Sequence, residues 1–210
     1  RITKNLGIIT RKGHQMTNII NELLLLASVR RLEDITMEAL DMEAVVSNAL
    51  HRFEQRLEEM QAHITRPDSW PVAAGYAPWV EEVWVNYISN ALKYGGQPPR
   101  ITIGWDHHGS EETEAGASLR FWVRDNGPGL SPEQQAQLFT HFTRLHKTRA
   151  QGYGLGLSIV QRIITRLGGE VGVESILGEG STFWFTLPRT QEVANSSKKR
   201  ADNAQTNAER

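Results

Sequence analysis

An α/β fold is predicted by two kinds of hydrophobic spacing that follow one another along the 210 residues. Apolar residues recur at helical spacing near 8–29, 41–62, 78–94 and 156–167, and short strand-like runs stand at 101–105, 119–123, 170–175 and 181–187. A third observation is compositional: 39 % hydrophobic and 22 % charged residues is the balance of a chain that buries a core, which sets aside fibrous, collagenous and wholly disordered readings.

The first helical stretch carries Ile8, Ile9, Met16, Ile19, Ile20, Leu23, Leu24, Leu26 and Ala27 and runs to about Val29, with Gly7 and Gly13 as weak points. Its apolar stripe is too broad for a lone helix. A second helix is expected from about Asp41 to Ala62, joined to the first by RRLEDITME, which carries Ile35 inward. PDSWPVAAGYAP then reads as loop with one short strand. The third helix, about Pro78 to Tyr94, buries Val80, Val83, Trp84, Ile88, Ala91 and Leu92 and is stopped by Gly95 and Gly96. ITIGW and LRFWV form a hairpin around a polar, acidic loop. Ser131-Pro132-Glu133-Gln134 sets an N-cap, a proline at the first helical position and a capping-box partner in register, predicting a short helix through Leu138. A last helix, Gly156 to Leu167, stops at Gly168 and leads into two strands. From Thr190 onward the chain has one valine and no aromatic, so residues 190–210 are expected to be a disordered polar tail.

Charge and composition narrow the function. Lys+Arg of 23 against Asp+Glu of 24 leaves a net charge of -1, so there is no overall basic field to drive binding to nucleic acid or to an anionic membrane. Neither partner is expected within this chain. The absence of cysteine rules out disulfides, thiol nucleophiles and cysteine-based metal sites, and permits the cytoplasm. IINELLLLASV is interrupted by Asn21 and Glu22 and falls short of the roughly 20 residues a membrane span requires. The sequence begins at Arg1 without a leader of charged, then apolar, then small residues, and is expected to be a fragment of something longer.

Three clusters carry chemistry. In WVNYISNALKYGG, Asn86 and Asn90 are four apart and share a helix face with Lys93, next to Tyr94. Helix interiors tolerate asparagine poorly; a carboxamide oxygen suits Mg²⁺, and a lysine one turn on reaches phosphate as a point charge. Two asparagines on a solvated face would read the same. In VRDNGPGL, Asp125 ends a strand and Gly127 and Gly129 flank a proline, so the backbone can turn tightly against a ligand while the carboxylate accepts hydrogen bonds, as from a purine amine; a plain turn is the alternative. In GYGLGLSIVQRIITRLGG, Gly152, Gly154 and Gly156 open an amphipathic helix, an arrangement that binds anions. It is neither a Walker loop nor a dinucleotide fingerprint.

Their order is more informative than any one of them. An Asn helix, a strand ending in DNGPGL, then LFTHFTRL, then GYGLGL opening a helix, then GEGSTFWFTLP together resemble the ATP-binding catalytic domain of bacterial sensor histidine kinases, in the superfamily of DNA gyrase B, MutL and the heat-shock chaperone ATPases. LFTHFTRL is the part that looks like a histidine kinase rather than the other members. The resemblance covers about 40–189 and implies a two-layer α/β sandwich, the Bergerat ATP-binding fold, with three helices on a mixed sheet of about five strands. Residues 1–33 resemble the second helix of the family's dimerisation and phosphotransfer hairpin.

Carried over, the resemblance implies that Asn90 coordinates Mg²⁺ and Asn86 supports the phosphate side. Lys93 and Tyr94 contact phosphates, and Asp125 binds the adenine amine in a pocket shaped by Gly127 and Gly129. Gly152, Gly154, Leu155 and Gly156 form the hinge and phosphate cradle of a lid anchored by Phe139 and Phe142. Arg144 lies near the γ-phosphate and, with Lys93, is the expected catalytic pair. Ser181 or Thr182 joins the water network around the adenine, and Thr182 is the one carried into the site. The implied cofactors are ATP and Mg²⁺; the implied partners are a response-regulator receiver domain and a second copy through the helix hairpin. The implied place is the cytoplasm, free or as part of a membrane-bound sensor. One departure matters: no histidine here is followed by an acidic residue and a Thr/Asn-Pro pair, and His14 lies in the wrong helix, so the phosphoacceptor is not expected in this chain.

Overall fold

The computed structural model describes residues 35–108, 118–138 and 156–190. In chain order they form β1 (Glu38–Ala39), α1 (Met42–His51), α2 (Glu54–Glu59), β2 (His63–Thr65), β3 (Ala74–Gly75), α3 (Ala77–Tyr94), β4 (Arg100–His108), β5 (Ser118–Asp125), α4 (Pro132–Gln137), α5 (Gly156–Arg166), β6 (Val171–Ile176) and β7 (Gly180–Leu187). Five strands make one mixed sheet in the order β2-β4-β5-β7-β6, with β2 parallel to β4 and the remaining pairs antiparallel; β1 and β3 pair separately. Helices α1, α3 and α5 cover one face, giving the expected two-layer α/β sandwich. The helix expected over 1–33, the acidic loop, the lid and the tail after Thr190 lie outside the described residues. None of the described helices is long and apolar enough to cross a membrane.

Three helix ends have a plain local reason. Asp41 caps α1 by accepting from the Ala44 amide at 3.1 Å. α4 has the capping box read from its sequence: the Ser131 hydroxyl accepts from the Gln134 amide at 3.3 Å and the Gln134 side chain returns to the Ser131 amide at 2.9 Å. After α5, Gly168 adopts φ +81, which closes the helix. The single helix expected over 41–62 is instead two. Phe53 leaves helical geometry at φ −118 and ψ 6, and its amide bonds the Leu50 carbonyl. The break turns Phe53, Leu57 and Met60 onto the core and lets Arg52 reach Glu82 at 2.6 Å.

The core lies between α3 and the inner face of the sheet. Trp84 and Tyr87 are fully buried against Phe121 and Phe185, with the Trp84 ring edge-on to Phe185 at 5.2 Å. Two polar atoms of these rings find partners: Trp84 Nε1 lies 3.3 Å from Met42 Sδ, and the Tyr87 hydroxyl donates to the Trp184 carbonyl at 3.0 Å.

On the opposite face no described helix packs, and the sheet covers itself. Gly104, Trp122, Trp184 and Gly172 stand directly opposite one another across four strands. Each indole lies over the glycine of the strand beyond it, where a Cβ would strike the ring. Arg120 lies 5.2 Å over Trp184 and Arg124 lies 5.5 Å over Trp122, within cation–π range. Because that space is filled, Gly104→Val is expected to cost about 1–3 kcal/mol by overpacking. The loss should appear as a lower urea midpoint at unchanged slope, and Trp122→Val added to it should recover part of the loss.

Candidate functional site

Asp125 is the last residue of β5 and faces inward with Phe121 and Val123, at 7 % exposure. Burial pushes its carboxyl above the ordinary aspartate value, while the Gly127 amide, donating to Oδ1 at 2.8 Å, and the Ser181 amide pull it back. Gly127 folds the chain back so closely that a Cβ would meet both this carboxylate and the Tyr94 carbonyl. Gly129 has φ +69 and a Cβ there would run into the Ile176 carbonyl, so the Asn126–Gly129 loop and the β6–β7 turn press against each other.

The asparagines sit on α3 beside its buried stripe. Asn90 Nδ2 donates to Asn86 Oδ1 at 3.2 Å, which holds the two carboxamides together and leaves Asn90 Oδ1 outside that bond. Asn86 packs on the first residue of α5: a Cβ on Gly156 would collide with its amide nitrogen. Lys93 and Tyr94 complete the last turn of α3 at the exposed side. The sequence-expected residues are thus joined by contact from Gly156 through Asn86 and Asn90 along α3 to Tyr94, Gly127, Asp125 and Ser181. Phe139, Phe142, Arg144, Gly152, Gly154 and Leu155 lie outside the described residues. Two surface grooves of about 630 and 590 Å³, lined around 40–43 with 66–72 and around 35–48 with 75–81, include none of these residues.

Thr182 is a correction. It stands opposite Arg124 in the ladder, and its Oγ1 accepts from Arg124 Nε at 3.1 Å on the outer face of the sheet. Side chains alternate along a strand, so Ser181 is the hydroxyl on the Asp125 side.

Two residues escaped the sequence reading. The Asn126 carboxamide accepts from the Gly96 and Arg100 amides at 3.0 and 2.9 Å and donates to the Pro98 carbonyl at 3.1 Å, tying the exit of α3 to the loop that follows β5. Its signal was present, as an asparagine in an Asn-Gly turn. Ser175, opposite Ser181 in the β6–β7 ladder, bonds Leu130, Gly180 and Ser181. No local pattern marks it.

The fit to a nucleotide and a hard cation rests on these features. There is an acceptor-only carboxylate at one end, a neutral carboxamide oxygen at the middle and the start of an 11-residue helix at the other, with Gly127 and Gly156 allowing the close approach of backbone and side chains that joins these groups.

Comparison with known proteins places the chain. The profile of the "Histidine kinase-, DNA gyrase B-, and HSP90-like ATPase" family matches residues 75–191. The adaptive-response sensory kinase SasA of Parasynechococcus marenigrum (strain WH8102) is 31 % identical over 193 residues, which is 89 % of this chain and 48 % of that protein. Full-length ShkA in complex with AMPPNP superposes with a TM-score of 0.70 at 25 % identity, over 85 % of this chain and 36 % of that one. Histidine kinase ThkA, solved in complex with the response regulator protein TrrA, shares the fold at a TM-score of 0.68 and 21 % identity, over 91 % of this chain and 52 % of that one. The chain spans about a fifth to a half of the length of the curated relatives it matches. With more than half of its residues inside that profile, the chain belongs to the histidine kinase-, DNA gyrase B- and HSP90-like ATPase family.

Proposed function

We propose that this chain is the ATP-binding catalytic part of a sensor histidine kinase. It holds Mg-ATP and passes the γ-phosphate to a histidine on a dimerisation helix, for relay to an aspartate of a response-regulator receiver domain. The observation that carries the reading is the continuous wall from Gly156 through Asn86 and Asn90 to Gly127, Asp125 and Ser181. ShkA, solved with an ATP analogue, and ThkA, solved with a response regulator, support it. LFTHFTRL favours a histidine kinase over the other family members.

Phosphoryl transfer depends on positioning and charge neutralisation more than on covalent work by the protein. Asp125, ionised, accepts from the adenine amine and fixes the base. The first turn of α5 presents its amides to phosphate oxygens, and Asn86 holds that turn at a fixed distance from α3. Asn90 Oδ1 is the protein oxygen for Mg²⁺, which when bound neutralises charge across the phosphates. Lys93 and Arg144 would add positive charge there, and the family resemblance gives Phe142, Gly152, Gly154 and Leu155 the role of the lid. The homodimer forms through the amino-terminal hairpin, and the phosphoacceptor comes from a helix beyond the motifs of this sequence.

Asp125→Ala should weaken ATP binding by about 1.5–3 kcal/mol in calorimetry, the range for a hydrogen bond to a charged group. The ionised carboxyl is the stronger acceptor, and burial raises its pKa above 3.8, so ATP affinity should begin to fall at a higher pH than an ordinary aspartate would give. Folding holds that proton more tightly than the unfolded chain does. The wild type therefore loses stability relative to Asp125→Asn as pH rises through the carboxylate range, and paired urea titrations at pH 4 and 7 read the difference.

Asn90→Ala should abolish the Mg²⁺ dependence of ATP binding; unchanged dependence moves the metal elsewhere. Supplying a dimerisation hairpin with its histidine in trans should give acid-labile labelling from γ-phosphate. Arg144→Ala should reduce that labelling more than it reduces ATP binding, because a cation beside the transferring group matters most in the transition state. Acid-labile phosphate on His14 of the chain alone would overturn the placement of the acceptor.

A further inference from the structure

We infer that Ser175 is a positioning residue that sets the direction of the Ser181 hydroxyl and so makes the base pocket select a purine edge that donates hydrogen bonds. The inference rests on the adenine pocket proposed above and goes one step behind it.

The argument is a count of hydrogens. A hydroxyl has one hydrogen to give and two lone pairs to receive with. Ser175 Oγ has three partners: it accepts from the Leu130 amide at 2.8 Å, it donates to the Gly180 carbonyl at 2.8 Å, and it lies 2.9 Å from Ser181 Oγ. The carbonyl takes the one hydrogen of Ser175. The contact with Ser181 is then a bond only if Ser181 donates, into the lone pair that Leu130 leaves free. The chain Ser181 to Ser175 to Gly180 uses both hydroxyl hydrogens, and each bond polarises the next.

Ser181 is left with lone pairs alone. Its own amide bonds the Asp125 carboxylate, which also only accepts, so the two side chains stand together on the inner face of the sheet. This end of the pocket is an acceptor-only edge. An exocyclic amine at purine position 6 matches it directly or through one water; a 6-oxo group sets acceptor against acceptor at that position, and a purine with only hydrogen there leaves the buried acceptors unpaired. Ser175 touches no base. It is held in place from behind, because Gln135 Nε2 donates to the carbonyls of both Ser175 and Leu130, at 3.0 and 3.1 Å.

Calorimetric affinities for ADP and purine riboside diphosphate, which differ only in that amine, test the inference. They would be measured on the whole chain as wild type, Ser175→Ala, Ser175→Thr, Ser181→Ala and the double alanine variant. The wild type should prefer ADP. Ser175→Ala frees the Ser181 hydroxyl to donate into the pocket and should shrink the ADP preference by about tenfold, the worth of one neutral hydrogen bond. Ser175→Thr, which keeps the hydroxyl, should keep the preference.

In the Ser181→Ala background the Ser175→Ala change should have no further effect on the ratio, which general loosening of the strand would not produce. A folded Ser175→Ala with the wild-type ratio overturns the inference, as does an effect that persists without the Ser181 hydroxyl. Should Ser175→Ala not fold, Ser181→Ala decides, since it leaves the Leu130 and Gly180 bonds intact; an unchanged ratio there overturns the inference. A wild type that binds neither nucleotide, or an Asp125→Ala variant that binds ADP unchanged, brings down the proposed pocket instead, and the inference with it.

Discussion

Burial of the Asp125 carboxylate constrains everything around it. A carboxylate leaves water only where donors replace it, and here the donors are backbone amides from two different segments, Gly127 and Ser181. To supply both, β5 must end beside the start of β7 and the loop must fold back at once. The Asp125 carbonyl must also lie where Gly180 has no side chain. The strand order β4-β5-β7 satisfies these demands together. The carboxylate is therefore not an ornament on a finished sheet. It is part of how the strand ends are closed, and its raised proton affinity is the cost of that arrangement.

The second requirement falls on α3, which serves two layers at once. Its buried stripe, from Val80 through Trp84, Tyr87 and Ile88 to Leu92, anchors it to the sheet. The adjoining strip, Asn86 and Asn90, is too polar for the core and faces the start of α5. A helix with one apolar stripe can slide or rotate; one pinned by large aromatic rings below and by Gly156 at its side cannot do so without losing packing. Precise placement of two carboxamides thus derives from indole and phenol packing on the other side of the same helix.

Much of this was legible in the sequence because it rests on local chemistry. The capping box at Ser131 and Gln134, the stop at Gly168, the hairpin of β4 and β5 and the amphipathic run of α3 each follow from residues within one or two turns. What escaped detection depends on distant neighbours. β1 and β2 are two and three residues long and exist through pairing with β3 and β4, so no periodicity announces them. The break at Phe53 is a tertiary choice, made because three apolar side chains gain a core by leaving the helix. Choosing between Ser181 and Thr182 required the register of β7 against β5. A one-residue difference in a strand is a change of face, and the sequence alone does not tell which face is inward. Ser175 is important through its hydroxyl's partners, which are 5, 6 and 45 residues away.

The tryptophans give the molecule an optical character of its own. All six lie between positions 70 and 184, in or against the sandwich, and none falls in the motif segment from Asp125 to Gly156. Trp84 is sealed in the core, whereas Trp122 and Trp184 lie on the outer sheet face under guanidinium groups. The intrinsic emission of this protein is therefore dominated by the sheet and its packing. Contacts made by a ligand at Asp125, Gly127 and Gly129 involve no indole and leave that light largely unaltered, while loss of strand pairing exposes the indoles together. Fluorescence separates integrity of the scaffold from events at its glycine-rich rim.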